Sequence, residues 1–318
     1  MIDKLAENIR NNIEIIQKQS LNPIVDFVRA KSYKSERIYS DYGEDSASIN
    51  ENEKLLLFTT DGLRSEFVEN FPYGAGFSAI MVSVDDIYAC GGTPLAASLV
   101  VNYHKEKIGN EIFRGICDSS QKFKVPIIRG HTNQNSKICC LAISMVGEIK
   151  KEDYISAGNA QIDDDIILIV DFDGKPGNAS KYYWDTATFK TSEQILYSRK
   201  SMNEIATKHL LNSSKDISNA GIFGTLYQLL TYSKVGAKID IDLIILPELL
   251  RDLNYSIFDY SKMYLTTSFI TTCKEINTEE VINLFKRYNL EAHKIGKVIK
   301  KPIVKIYNNK EETILFDL

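Results

Sequence analysis

The strongest constraint in this sequence is an alternation that runs twice. Short apolar runs of strand length take turns with segments whose apolar residues recur at helical spacing, and the series starts over near residue 150. In the first half, residues 55–58 predict a buried strand ending in Thr59-Thr60-Asp61, and residues 62–74 read as irregular. Ala75, Ala79, Ile80, Val84, Ile87 and Tyr88 predict a helix over 75–90, stopped by Gly91-Gly92 and Pro94. Residues 98–103 predict a strand and 111–124 a helix. A short strand over 125–129 leads into a Gly130-His131-Thr132 turn, and 138–146 predict another strand. After the restart come a strand over Asp165–Val170, a loop over 174–185, and helices over 192–211, 219–232 and 278–289.

The two halves end alike, Val146-Gly147-Glu148-Ile149-Lys150-Lys151 against Ile295-Gly296-Lys297-Val298-Ile299-Lys300-Lys301. This predicts two domains, 1–153 and 154–318, each mixing strands and helices in an α/β (α+β) arrangement. Ile2, Leu5, Ile9, Ile13 and Ile16 predict an opening amphipathic helix, and the basic stretch 29–37 reads as a loop. The 318 residues suit two domains of ordinary size.

Composition removes several classes of function. The 38 basic and 42 acidic side chains leave a net charge of -4, so no overall basic excess recruits nucleic acid or an anionic membrane. Five cysteines, an odd number without zinc spacing, read as reduced thiols of a cytoplasmic protein. The first residues lack the pattern of a signal peptide, and the apolar run 166–170 is far too short to span a bilayer. No GxxxxGK[ST] loop, GxSxG elbow or HExxH appears. Gly74-Ala75-Gly76-Phe77-Ser78-Ala79 fits a dinucleotide fingerprint, yet it follows an irregular segment, so helix packing explains it better.

Four acidic sites fall at element ends or in apolar surroundings: Glu44 and Asp45, Asp61, Asp85-Asp86, and Asp216. Each has a structural reading. Asp216 or Ser218 could cap a helix, Asp61 could turn with Gly62, and Glu44 and Asp45 could be surface acids. Asp86 is different, because an acid among Val82, Val84, Ile87 and Ala89 is either exposed or partnered. If the four converge, they form a cage of hard oxygens suited to Mg²⁺ and substrate phosphates. Spacing alone does not establish convergence.

The order of motifs resembles the superfamily of aminoimidazole ribonucleotide (AIR) synthase, thiamine-monophosphate kinase, selenophosphate synthetase and HypE. The likeness rests on Gly43-Glu44-Asp45-Ser46-Ala47, Thr59-Thr60-Asp61-Gly62, the stretch from Val82 through Asp85-Asp86 to Gly91-Gly92-Thr93-Pro94, Gly130-His131-Thr132 and Asp216-Ile217-Ser218. Within it the chain is most similar to the AIR-synthase-related group that includes the methanogenesis-marker type. That further likeness rests on Phe71-Pro72-Tyr73-Gly74, Asp171-Phe172-Asp173-Gly174, Trp184-Asp185-Thr186-Ala187-Thr188 and the segment from Lys215 to Thr225.

The resemblance implies a PurM-like fold, with the first domains of a homodimer pairing into a β-barrel-like core and an α+β domain capping each. It implies ATP and Mg²⁺ as cofactors and phosphoryl transfer to, or ATP-driven ligation of, a small-molecule acceptor. Carried over by motif, Asp45, Asp61, Asp86 and Asp216 are metal ligands. Asp61, Asp216 and His131 take catalytic roles. Gly43, Glu44, Thr60, Gly130, Thr132 and Asn219 contact the nucleotide, and the basic Lys31, Lys34 or Arg37 could touch phosphate. His131 and Asn219 replace acids of the thiamine-monophosphate kinases, which keeps a nucleotide-binding module without turnover as the alternative.

Overall fold

The structure is a computed structural model that describes residues 2–318. The first half contains α1 (Ile2–Arg10), α2 (Ile13–Ser20), α3 (Asn22–Lys31), β1 (Ile38–Ser40), β2 (Ala47–Glu51), β3 (Lys54–Leu63), α4 (Ser65–Asn70), α5 (Pro72–Ala89), β4 (Thr93–Asn102), α6 (Glu106–Phe123), β5 (Ile127–Asn133) and β6 (Cys140–Lys150). The second contains β7 (Asp165–Val170), β8 (Lys175–Pro176), β9 (Tyr183–Asp185), α7 (Ser192–Thr207), β10 (Ser213–Asp216), α8 (Gly221–Ser233), β11 (Gly236–Asp240), α9 (Glu248–Asp252), α10 (Ile257–Ser261), β12 (Tyr264–Leu265), β13 (Phe269–Cys273), α11 (Thr278–Arg287), β14 (Glu291–Ile299), β15 (Ile303–Tyr307) and β16 (Glu312–Asp317).

Two large sheets organise these elements, and β12-β9-β8 form a small third one. The first runs β1-β2-β3-β6-β4-β5 and the second β10-β13-β7-β14-β11-β15-β16. The first sheet is open rather than a closed barrel. One of its faces packs on α5 and α6 through Leu55, Leu57, Leu99, Val101, Ile143 and Met145. The alternate residues, Phe58, Thr60, Val100 and Ser144 among them, face outward. Behind α5 and α6 come α7 and α11, then the second sheet, then α8 and α1.

This layering explains why residues 166–170 are apolar without a break. Ile167 and Ile169 face one core, Ile166, Leu168 and Val170 the other, so β7 is buried on both sides. It also explains the Gly74-Ala75-Gly76 segment. A Cβ on Gly76 would sit 2.1 Å from the Ile112 carbonyl oxygen, and one on Gly115 would sit 2.1 Å from that of Tyr73. Helices α5 and α6 therefore touch backbone to backbone, and the glycines serve packing.

Several expectations change. The opening helix is two helices, because Asn12 stops the first and caps the second by accepting from the Glu14 amide at 3.0 Å. Ile2, Leu5, Ala6, Ile9 and Ile15 join the core of the second sheet, so the first residues of the chain pack with its second half. Part of the expected 29–37 loop is helical in α3. The segment 62–74 holds the end of β3, all of α4 and the start of α5. The Gly130-His131-Thr132 turn is instead strand, inside β5 and parallel to β4. The 174–185 loop holds β8 and β9.

Candidate active site

The site lies where β10 of the second half meets the loop before β2 and helix α5 of the first. Asp45 stands in that loop, Asp86 near the end of α5, and Asp216 at the end of β10. One carboxylate oxygen from each lies within 4.8 Å of the other two. Asp45 accepts from the Asp216 amide at 3.0 Å and from the Lys215 ammonium, which ties the two halves together at this point.

Asp61 stands one step outside the trio. It is inside β3, paired in register with Ile143, and accepts from Ser83 Oγ at 2.8 Å. Its carboxyl interacts with that of Asp86. The adjacent acid, Asp85, points about a quarter-turn away around α5, as helical geometry requires. Its Oδ1 lies 2.7 Å from Arg199 Nε, and its Oδ2 accepts from the Thr267 amide at 3.1 Å. The two acids in one apolar helix thus have separate partners, one an interdomain arginine and the other the cluster.

The electrostatics are those of crowded carboxylates. Burial, then Asp61, Asp216 and Asp45, push Asp86 well above the usual carboxylate range. Burial, then Asp45, does the same to Asp216, and burial raises Asp61. Burial alone would lower Lys215, but the carboxylates of Asp45 and Asp216 outweigh it and raise its pKa. Lys215 pairs with Asp45, and among the described residues no cation makes an ion pair with Asp86 or Asp216. A set of hard oxygens that repel one another and lack a full complement of positive charge fits a divalent cation of the Mg²⁺ type.

Not all the expected site residues gather there. Glu44 turns to the segment joining the two sheets, accepting from Ser156 Oγ at 2.5 Å and the Ala157 amide at 2.7 Å. Gly43 has φ +101 and lies so close to the Tyr232 ring that a Cβ would come within 2.5 Å of it. Thr60 shares a hydrogen bond with Ser144 on the open sheet face, because alternation along β3 sends Thr59 and Asp61 inward and Thr60 outward. Thr59 is the hydroxyl that reaches the cluster, donating to Asp86. Gly130, His131 and Thr132 lie on the exposed edge strand β5, three strands from Asp61 and about 14 Å away at ordinary strand spacing. Asn219 lies just before α8 and is exposed, and Arg37 pairs instead with Glu51 at 2.7 Å.

Sequence reading missed Thr59, Ser83, Lys215 and Lys18. Strand period alone would have favoured Thr59 over Thr60, since Leu55 and Leu57 share its parity. Lys215 sits in a polar stretch, Ser213-Ser214-Lys215-Asp216, that hides a strand buried at all four positions.

Comparison with known proteins agrees with this architecture. Residues 43–149 match the N-terminal domain of AIR synthase related protein, and residues 188–308 match its C-terminal domain. The chain belongs to that family. It is 30% identical over 320 residues to the uncharacterised protein MJ0640 of Methanocaldococcus jannaschii, covering 99% of this chain and 97% of the relative. It is 25% identical over 309 residues to the thiamine-monophosphate kinase of Buchnera aphidicola, covering 93% and 88%. Among solved structures, T. maritima PurL complexed with ATP superposes with a TM-score of 0.72 at 12% identity, over 88% of this chain. The chain spans 47% of that PurL chain, so this likeness concerns the fold. No helix among the described residues is long and apolar enough to cross a membrane.

Proposed function

We propose that this protein is an ATP- and Mg²⁺-dependent phosphotransferase or ATP-consuming ligase acting on a small-molecule acceptor in the cytoplasm. One observation carries the reading: Asp45, Asp86 and Asp216, far apart in sequence and drawn from both halves, bring carboxylate oxygens within 4.8 Å of one another. Phosphoryl transfer asks a protein mainly to position the reactants and neutralise phosphate charge, and carboxylates that hold Mg²⁺ are the standard means. Asp45, Asp86 and Asp216 would hold the cation, with Asp61 beside them. The cation would supply charge neutralisation of the nucleotide phosphates. Lys215 and Ser83 keep the carboxylates in place, and Thr59 orients Asp86 through its hydroxyl.

The protein acts as a homodimer in this reading. The outward face of the first sheet carries Phe58 (44% exposed) and Val100 (40% exposed), and the edge strand β5 leaves Ile128 72% exposed. An open sheet with an unpaired apolar edge is a natural pairing surface. A second copy on that face would cover β5 and let Gly130, His131 and Thr132 reach a site they do not reach within one chain. His131 and Asn219 favour a second reading, a nucleotide-binding module without turnover, because each stands where the kinases carry an acid.

Calorimetric titration with the ATP analogue AMPPCP tests the first reading. Binding should require Mg²⁺ and weaken at least tenfold in Asp86→Asn. Equal binding with and without the metal, or no binding, would refute it. Slow Mg²⁺-dependent ADP release from ATP, lost in Asp86→Asn, would exclude the silent module.

A further inference from the structure

Helix α2 lies across the rim of the carboxylate cluster, and its two charged side chains one turn apart both reach toward the start of α8. Glu14 accepts from the Ala220 amide at 3.0 Å and from Arg64 Nη2 at 2.8 Å. Lys18 donates to Gln228 Oε1 at 2.9 Å and to Ser218 Oγ at 3.3 Å. Positions four apart on a helix share a face, so this alignment follows from the spacing of Glu14 and Lys18.

The environment of Lys18 is unlike that of the other lysine at the site. Lys215 is paired with Asp45. Lys18 is half-buried, yet its two hydrogen-bond acceptors are neutral, and among the described residues no carboxylate forms an ion pair with it. An ammonium has three protons to donate, and only two are taken up here. Burial, then the positive charge of Lys215, lowers its pKa to about 8, while Asp216 and Asp45 act in the opposite sense. Removing an ammonium from water without an anion to receive it is costly, so the position calls for a negative group from outside the chain. Lys18 is oriented by Ser218, two residues past Asp216, so that group would arrive beside the metal-binding carboxylates. Lys18 and Lys215 are the two lysines beside the cluster, and only Lys215 is spent on a carboxylate.

We propose that Lys18 is a binding residue for the terminal phosphoryl group of the bound nucleoside triphosphate, held in register by Ser218 and Gln228. The proposal rests on the ATP-dependent reading above. It assigns α2, outside the matched family segments, to the site. A lysine binds phosphate as a point charge, so charge at this position matters more than hydrogen-bond shape.

The test compares Mg²⁺-AMPPCP with Mg²⁺-ADP by calorimetry in wild type, Lys18→Met and Lys18→Arg. Lys18→Met should weaken the triphosphate analogue at least tenfold and leave ADP within twofold, and Lys18→Arg should recover most of the loss. A structural role for Lys18 would weaken both nucleotides together. Equal losses, or no loss with AMPPCP, would overturn the proposal while leaving the functional reading intact. Wild-type protein that binds neither nucleotide would overturn both. Far-ultraviolet circular dichroism of each variant confirms that the chains compared are folded.

Discussion

The buried pair between Asp85 and Arg199 is the most exposed to a quantitative test. It joins α5 of the first half to α7 of the second, with Arg199 0% and Asp85 2% exposed. Arg199 also donates to the Ile195 carbonyl at 3.2 Å and stacks its guanidinium 4.8 Å from the Phe123 ring centroid. One of its nitrogens, Nη2, has no hydrogen-bond partner. Arg199→Met keeps much of the side-chain bulk and removes the charge. Asp85 would then keep only the Thr267 amide, an uncompensated carboxylate in a dry interior. Stranding one member of such a pair costs about 3–5 kcal/mol. Replacing both members by apolar residues, as in Asp85→Leu with Arg199→Met, removes the stranded charge, so the double variant should be more stable than Arg199→Met alone. Urea unfolding followed by tryptophan fluorescence and circular dichroism measures both. Trp184 is the single tryptophan and lies buried in the second half, which makes it a local reporter. A loss under about 1 kcal/mol for Arg199→Met, or a double variant less stable than the single one, would show that the pair does not hold the halves together as described.

Other parts of the structure predict separate outcomes. Gly115→Ala forces a Cβ to 2.1 Å from the Tyr73 carbonyl oxygen, so α5 and α6 must part; unfolding midpoints should fall, by about 1–3 kcal/mol of stability, more than for Gly62→Ala, where a Cβ meets nothing within 4 Å. Phe58→Asp on the open sheet face should shift the protein from dimer to monomer in light scattering, and an unchanged mass would contradict the pairing surface. Glu204 accepts from Tyr288 Oη at 2.6 Å and Arg287 Nη2 at 2.9 Å, and these contacts, the tyrosine first, hold its pKa below the usual glutamate range. A lowered carboxylate pKa stabilises the fold above the unfolded-state value and loses that contribution as pH falls through the folded one. Glu204→Gln should therefore cost stability at neutral pH and progressively less as pH falls through the folded-state pKa, and a difference that stays constant into acid would refute the assignment.

The elements read most easily from the sequence were those whose burial imposes a simple period. The helix expected over 75–90 is α5 as far as Ala89, and the Asp165–Val170 run is β7, because core contacts on defined faces select apolar residues at fixed intervals. Asp86 was conspicuous for the same reason, since the surrounding apolar pattern left its charge unexplained. Strand β10 stayed hidden because its burial is polar. Ser213 Oγ shares a hydrogen bond with Thr272 Oγ1 at 2.9 Å, Asp216 faces the carboxylate cluster, and nothing apolar marks the strand. The segment Gly130-His131-Thr132 has the composition of a turn, yet it is the polar second half of an exposed edge strand, where no alternation of buried residues marks it. Lys18 was invisible as well, because the opening periodicity gave one helix where Asn12 makes two, and only the second crosses the site. Convergence of Asp45, Asp86 and Asp216 depends on the packing of two halves, which no local spacing records.

The central claim is that these three aspartates hold the metal of a bound nucleotide. Crystals grown with Mn²⁺ and AMPPCP, with diffraction recorded at the manganese absorption edge, test it directly. An anomalous peak in contact with Asp45, Asp86 and Asp216, beside density for the nucleotide phosphates, is the result expected. Nucleotide bound elsewhere, or manganese held by other residues while this cluster stays empty, would contradict the account.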